Sequence, residues 1–290
     1  GVEDYIRECK LSEDHLFDVI VKLLGKDVNA AISYIRGFDL SENQQATLIM
    51  RAVEKDIDTA LKNIDKFRLN NTQLFNIAMF AAENGPEEVS EHIKKFHLGD
   101  DQRFEVAMKS GENLLWGVSL FIQEYQLTQE QRFAVAMKSV ENNPSDTSAN
   151  IKCYEPTEEE RFAVAMKAIK ENSKSLFRCI KNYNFTEEQV FAIAMRAAEL
   201  DACGASKSLR DCHLSKTQLF DLAMKAAKYN GKEFLAYLDC YDLDEEKKDR
   251  VKLCALAYHP YDDYDDFLLP SVGREDLALS CSYIVSPESA

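Results

Sequence analysis

The side chains able to do chemistry are few and widely spaced. Eight cysteines, Cys9, Cys153, Cys179, Cys203, Cys212, Cys240, Cys254 and Cys281, form no CxxC pair. Structural zinc needs closely paired ligands, so these positions predict reduced thiols in a reducing, cytoplasmic compartment and no metal. Five histidines, His15, His92, His97, His213 and His259, belong to no HExxH, nucleophile elbow or glycine-rich phosphate loop. His92 and His97 are five residues apart, a poor spacing for one helical face. The acids from Asp262 to Asp266 could work with a histidine only inside a pocket, and carboxylates alone are weak evidence for one. No catalysis and no cofactor are expected.

A basic column is more informative. Lys22, Arg51, Lys109, Lys138, Lys167, Arg196 and Lys225 recur at multiples of 29 residues. On stacked helices about 8–10 Å apart they would form a ladder of cations, suited to an acidic partner or a phosphate backbone. The alternative is a solvated face on which Glu54, Glu112, Glu141 and Glu199, three residues further on, pair locally. One rung differs, because Phe80 stands where the others are basic. Another departure is Leu114-Leu115-Trp116, which fills a turn that is polar in several other copies and holds the only tryptophan. Phe80, Leu114, Leu115 and Trp116 are the candidate partner-binding patch, since large aromatics anchor interfaces. Trp116 could instead fill the space left by Gly111.

The elements that carry these columns come from an internal repeat. Segments beginning at Leu11, Leu40, Leu69, Leu98, Leu127, Pro156, Phe185, Leu214 and Leu243 follow one another every 29 residues without insertion. Each opens on a helix signal. Ser or Thr at the second position (Ser12, Ser41, Thr128, Thr157, Thr186, Ser215) is followed three residues on by Glu or Gln in several copies, the pattern of a capping box. Phe at position seven and Met at position eleven (Met50 to Met224) project with positions ten and fourteen onto one apolar face, and position nine adds a second strip. The Met column is read as inter-repeat core rather than a metal or cofactor site. Turn signals at Asn84-Gly85-Pro86, Asn142-Asn143-Pro144 and Asn230-Gly231 close the first helix. A shorter second helix carries an aliphatic at position 25 and mostly an aromatic at position 28. A lone hairpin cannot hide such a surface, so the expected fold is all-α, an α-solenoid of about nine stacked 29-residue hairpins.

Only ten glycines and six prolines in 290 residues agree with brief turns. The net charge of −15 is uneven: residues 239–290 hold 13 acids against 5 bases. The expected organisation is therefore a helical-repeat array over residues 1–258 and an acidic C-terminal cap and tail over 259–290, with Ala278 to Val285 apolar enough to dock back. No apolar run reaches the roughly 18–20 residues of a membrane span, and the acidic start is unlike a signal peptide.

The openings LTQEQRFAVA from Leu127 and FTEEQVFAIA from Phe185 resemble the first helix of the repeats in transcription-activator-like DNA-binding effectors. The unit is shorter than theirs and lacks the paired glycines that follow their base-reading residues. The wider resemblance is to tetratricopeptide and HEAT scaffolds, in architecture only, because W-x-x-L-G-x-x-Y is missing. In style the array is similar to secreted effectors of intracellular bacteria or regulators that bind them, which would place it in a host cytosol. These resemblances imply a non-enzymatic scaffold that wraps or regulates a protein partner. A nucleic-acid binder using the basic ladder is the second expectation.

Overall fold

A computed structural model describes residues 12–38, 40–113, 117–202, 206 and 212–259. The described residues form helices and connecting turns, and neighbouring helices pack in the order in which they occur within each of two compact bodies. These bodies are Gly1–Pro156 and Thr157–Ala290.

In the first body the long helices are Glu13–Leu24, Glu42–Lys55, Asn71–Asn84, Asp100–Gly111 and Gln129–Asn142. The anticipated caps start them. Ser41, Asn70 and Thr128 accept from the third backbone amide, while Gln44, Gln73 and Gln131 reach back to the cap nitrogen, so that two otherwise unpaired amides are satisfied at each start. The second body repeats the device at Thr157, Thr186 and Ser215. Its long helices are Glu187–Leu200, Glu245–Tyr258 and the leading parts of Glu158–Cys179 and Lys216–Leu235, which break at Asn172 and Gly231.

In the first repeat the second element is one helix, Val28–Gly37, as its sequence suggests, but in the described repeats that follow it is divided. It is a short α-helix that tightens into a 3₁₀ turn: Pro86–His92 runs into Ile93–Phe96, Val118–Phe121 into Ile122–Tyr125, and Pro144–Ala149 leads to Ile151–Tyr154. The turn brings positions 25 and 28 inward together, and Ile93, Phe96, Ile122, Tyr125, Ile151 and Tyr154 are all buried. The chain then escapes through a left-handed residue. His97, Gln126, Glu155, Asn184, His213 and Asp242, each at position 29, have φ between 49° and 54°.

Long helices pack on long helices within each body, and in the first body short elements pack on short ones. The face that does so differs from the projected one. Positions nine, ten, thirteen and fourteen are buried, as in Val135, Ala136, Ser139 and Val140 or Ile193, Ala194, Ala197 and Ala198. Small residues dominate there because they let neighbouring backbones approach. Gly111 is the extreme case: a Cβ on it would lie 2.7 Å from the Ser139 hydroxyl, so the next helix already occupies the space beside it. The Phe and Met columns are only half-buried.

Two polar devices fix the stacking. At position six, Arg103 donates to the carbonyls of Leu98 and Tyr125 (both 2.8 Å), and Arg132 does the same to Leu127 and Tyr154, tying the start of one repeat to the end of its 3₁₀ turn. Between repeats, buried hydroxyls meet 35 residues apart: Ser90 with Tyr125 (2.9 Å), Ser119 with Tyr154 (2.8 Å) and Ser206 with Tyr241 (2.9 Å). The same register sets Leu61 opposite Phe96 and Phe177 opposite Cys212, so ring size and polarity at position 28 follow the partner at position 22.

Candidate binding face

The open side of the long helices is built from three columns. Position seven carries a half-buried Phe at Phe17, Phe75, Phe104, Phe133, Phe162, Phe191 and Phe220, and position eleven carries half-buried methionines from Met50 to Met224. Position twelve carries the bases. On each long helix these three positions share one accessible strip, which the sequence projection had split into a core face and an opposite charged face. Large apolar side chains are therefore interleaved with charge on the accessible surface of every described long helix that keeps the pattern.

The ladder is largely self-neutralised. Lys109 reaches Glu83 at 3.5 Å and Glu112 at 3.6 Å, and Lys138 reaches Glu112 at 3.4 Å and Glu141 at 3.9 Å. Arg196 and Lys225 share Glu199, whose carboxyl is held below the usual range first by its hydrogen bond with Lys225 and then by that with Arg196. Lys167 is half-buried on its helix. Lys22 and Arg51 differ, since neither forms an ion pair among the described residues, although Glu54 stands three residues after Arg51 as in the other rungs. Phe80 is half-buried, one turn beyond Asn76 on the helix Asn71–Asn84. Leu114, Leu115 and Trp116 lie outside the described residues.

A groove of about 540 Å³ opens on this face between the helices Glu42–Lys55 and Asn71–Asn84. Met50 and Ile77 supply its apolar lining, with Thr47, Arg51, Glu54, Gln73 and Asn76 around them. Its cause is legible in the repeat: position seven is Ala46 here. At the corresponding position in the second body stands Phe220, and Arg250 of the next helix lies over its ring at 4.9 Å.

A second feature escaped the sequence reading. Position sixteen is Asn in three successive repeats, where Asn84, Asn113 and Asn142 donate to backbone carbonyls. In the last three it becomes Leu200, Tyr229 and Tyr258, all exposed. Lys228 lies 4.9 Å from the centre of the Tyr258 ring and 5.9 Å from that of Tyr229. The change from amide to large apolar residues at a fixed period was the available signal.

Groups with acid–base or thiol chemistry are dispersed. Cys153, Cys179, Cys212, Cys240 and Cys254 are free thiols, and burial pushes Cys153 and Cys179 up, away from reactivity. No cluster of three His, Cys, Asp or Glu able to hold a metal occurs among the described residues. The acids from Asp262 to Asp266 fall outside them, as does the segment from Ala278 to Val285. No described helix is long and apolar enough to cross a membrane. The chain matches no family model, no curated protein and no solved structure.

Proposed function

We propose that this chain is a non-catalytic protein-binding α-solenoid, in which tandem 29-residue hairpins offer the open face of their long helices to a protein partner that they scaffold or regulate. The observation that carries the reading is the incomplete burial of the Phe and Met columns. Methionine and aromatic side chains are enriched at protein interfaces, and their regular exposure costs solubility unless something covers them. The solenoid reading is supported by a period that continues without insertion through Pro156 and Thr157, and by sequential helix packing within each body. The ladder favours a protein over nucleic acid, because most of its charge is already paired with glutamate.

Affinity capture from the native cell followed by mass spectrometry, using the wild-type chain beside Met108→Glu/Met137→Glu, tests the reading. Captured proteins should be lost from the double variant, whose helicity and melting should stay near wild type. Equal capture by both would remove the open face from the account. Titration with duplex and single-stranded nucleic acid at low salt tests the second reading, in which binding should weaken steeply as salt rises. Phe80→Ala should weaken capture without unfolding the chain.

A further inference from the structure

We infer that the groove at Ala46 is a peptide-docking site that receives one bulky apolar side chain of a partner protein and sets a neighbouring carboxylate on Arg51. This rests on the protein-binding reading and assigns it a site. Three departures from the repeat coincide there. Ala46 replaces the phenylalanine of position seven beside an opening between two long helices, whereas in the second body Phe220 keeps its ring there under Arg250 of the next helix. Arg51 lacks the carboxylate that its counterparts Lys109, Lys138, Arg196 and Lys225 each hold. Phe80 takes the place of the next base, so the position that could pair across to Glu54 is apolar.

The chemistry of the occupant follows from the lining. Met50 and Ile77 give an apolar floor in a groove of about 540 Å³, within the range of ligand-binding clefts. A methionine wall adapts to aromatic and branched aliphatic side chains alike. Arg51 is exposed and presents a planar fork suited to a carboxylate. One end of the groove is closed by Gln73, whose amide donates to Asn43 across the two helices at 3.2 Å. An extended segment with Phe, Trp or Leu next to a single Asp or Glu satisfies both features, while Glu54, which also lines the groove, disfavours a run of acids; a purely polar peptide leaves the apolar floor uncovered.

The test is panning of a random dodecapeptide display library on the wild-type chain, on Ala46→Phe and on Thr47→Trp, with isothermal titration of the selected peptides. Phenylalanine is the residue found at position seven in other repeats, so Ala46→Phe should fold, and Thr47→Trp obstructs the groove from a second point. The expected result is enrichment of peptides with a bulky apolar residue beside an acid. Replacing that apolar residue by Ala should cost about 10- to 100-fold in affinity. Both groove variants should lose the peptides at unchanged melting temperature. Arg51→Ala should lose up to about fivefold and the preference for an acid, because an exposed ion pair is worth little more. Peptides that bind wild type and both variants equally would overturn the groove while leaving a protein-binding face elsewhere. No enrichment at all overturns the groove, and with an empty native capture it removes the protein-binding reading too. Concentration-dependent self-association abolished by Ala46→Phe would assign the groove to a second copy and overturn the peptide assignment.

Discussion

Tyr125 shows how much a single buried hydroxyl can carry. Its oxygen sits with those of Ser90 at 2.9 Å and Ser110 at 3.3 Å, inside a fully buried site. Tyr125→Phe should lower the unfolding free energy by about 1 kcal/mol in a urea titration. Burial pushes the phenol up to about 12, partly offset by the hydrogen bonds with Ser110 and Ser90. Folding thus favours the neutral form. The associated stability is intact below the ordinary phenol value of about 10 and is lost as pH climbs towards the folded value. Melting temperatures between pH 8 and 11 should fall less steeply in Tyr125→Phe than in wild type. His92 governs the acid side. Burial, then Lys95, pushes its imidazole down against the pull of Glu91 and Asp58, whose carboxylate is 3.8 Å away. A depressed imidazole contributes stability above its unfolded value near 6.5, lost as pH falls through the lower folded value. Replacing it in His92→Gln should flatten the melting curve between pH 7 and 5; an unchanged slope would assign the acid loss to other groups.

Among the elements, the 3₁₀ turn concentrates strain. Every described turn from Ile93–Phe96 onward ends on a left-handed residue, and none of the six is glycine. Left-handed backbone costs an ordinary L-residue roughly 1–2 kcal/mol, and glycine returns part of that through its freer unfolded chain. Glu155→Gly and Gln126→Gly should therefore each stabilise by up to about 1 kcal/mol. Asn184→Gly should gain less, because asparagine tolerates this region better. Denaturant midpoints for the three variants would establish the order. Long helices were readable in advance because capping residues, period and breakers agree at Thr128–Gln131 and Asn142-Asn143-Pro144. The 3₁₀ turn was not, since a four-residue element has too little periodicity to declare itself and Ile122 and Tyr125 fit a helix equally well. The face assignment failed for a related reason. Phenylalanine and methionine are the largest apolar residues of the repeat and drew the projected core towards themselves, whereas close helix packing selects small residues such as Ala136 and Ser139. Of the candidate site, Arg51 and Phe80 were visible as members of a column. Ala46 was passed over because the significance of a missing ring depends on what the neighbouring helix puts beside it.

At the scale of the molecule, the repeat is the mechanical and evolutionary unit, and its copies are alike on the open face but matched in pairs inside. A 35-residue partnership of positions 22 and 28 joins neighbouring copies within a body, serine to tyrosine at Ser90–Tyr125, Ser119–Tyr154 and Ser206–Tyr241, and the same sequence spacing matches Phe177 with Cys212. Loss of residues 98–126 would bring Ser90 opposite Tyr154, a pair of the native type, and the shortened chain should melt cooperatively near the parent. Loss of residues 185–213 would instead set Phe177 against Tyr241, two rings where one ring and a thiol fit. That chain should be far less stable, and restoring the fit with Phe177→Ser should recover much of the loss. Comparable melting of the two deletions would show that the pairing has no control over the stack. Copies that share one 29-residue period can be lost or gained whole without shifting the period, and the hydroxyl pairs would then decide which joins fold. Register-compatible losses can survive folding, while mismatched junctions expose themselves as misfolded protein, so array length can drift only along the permitted joins.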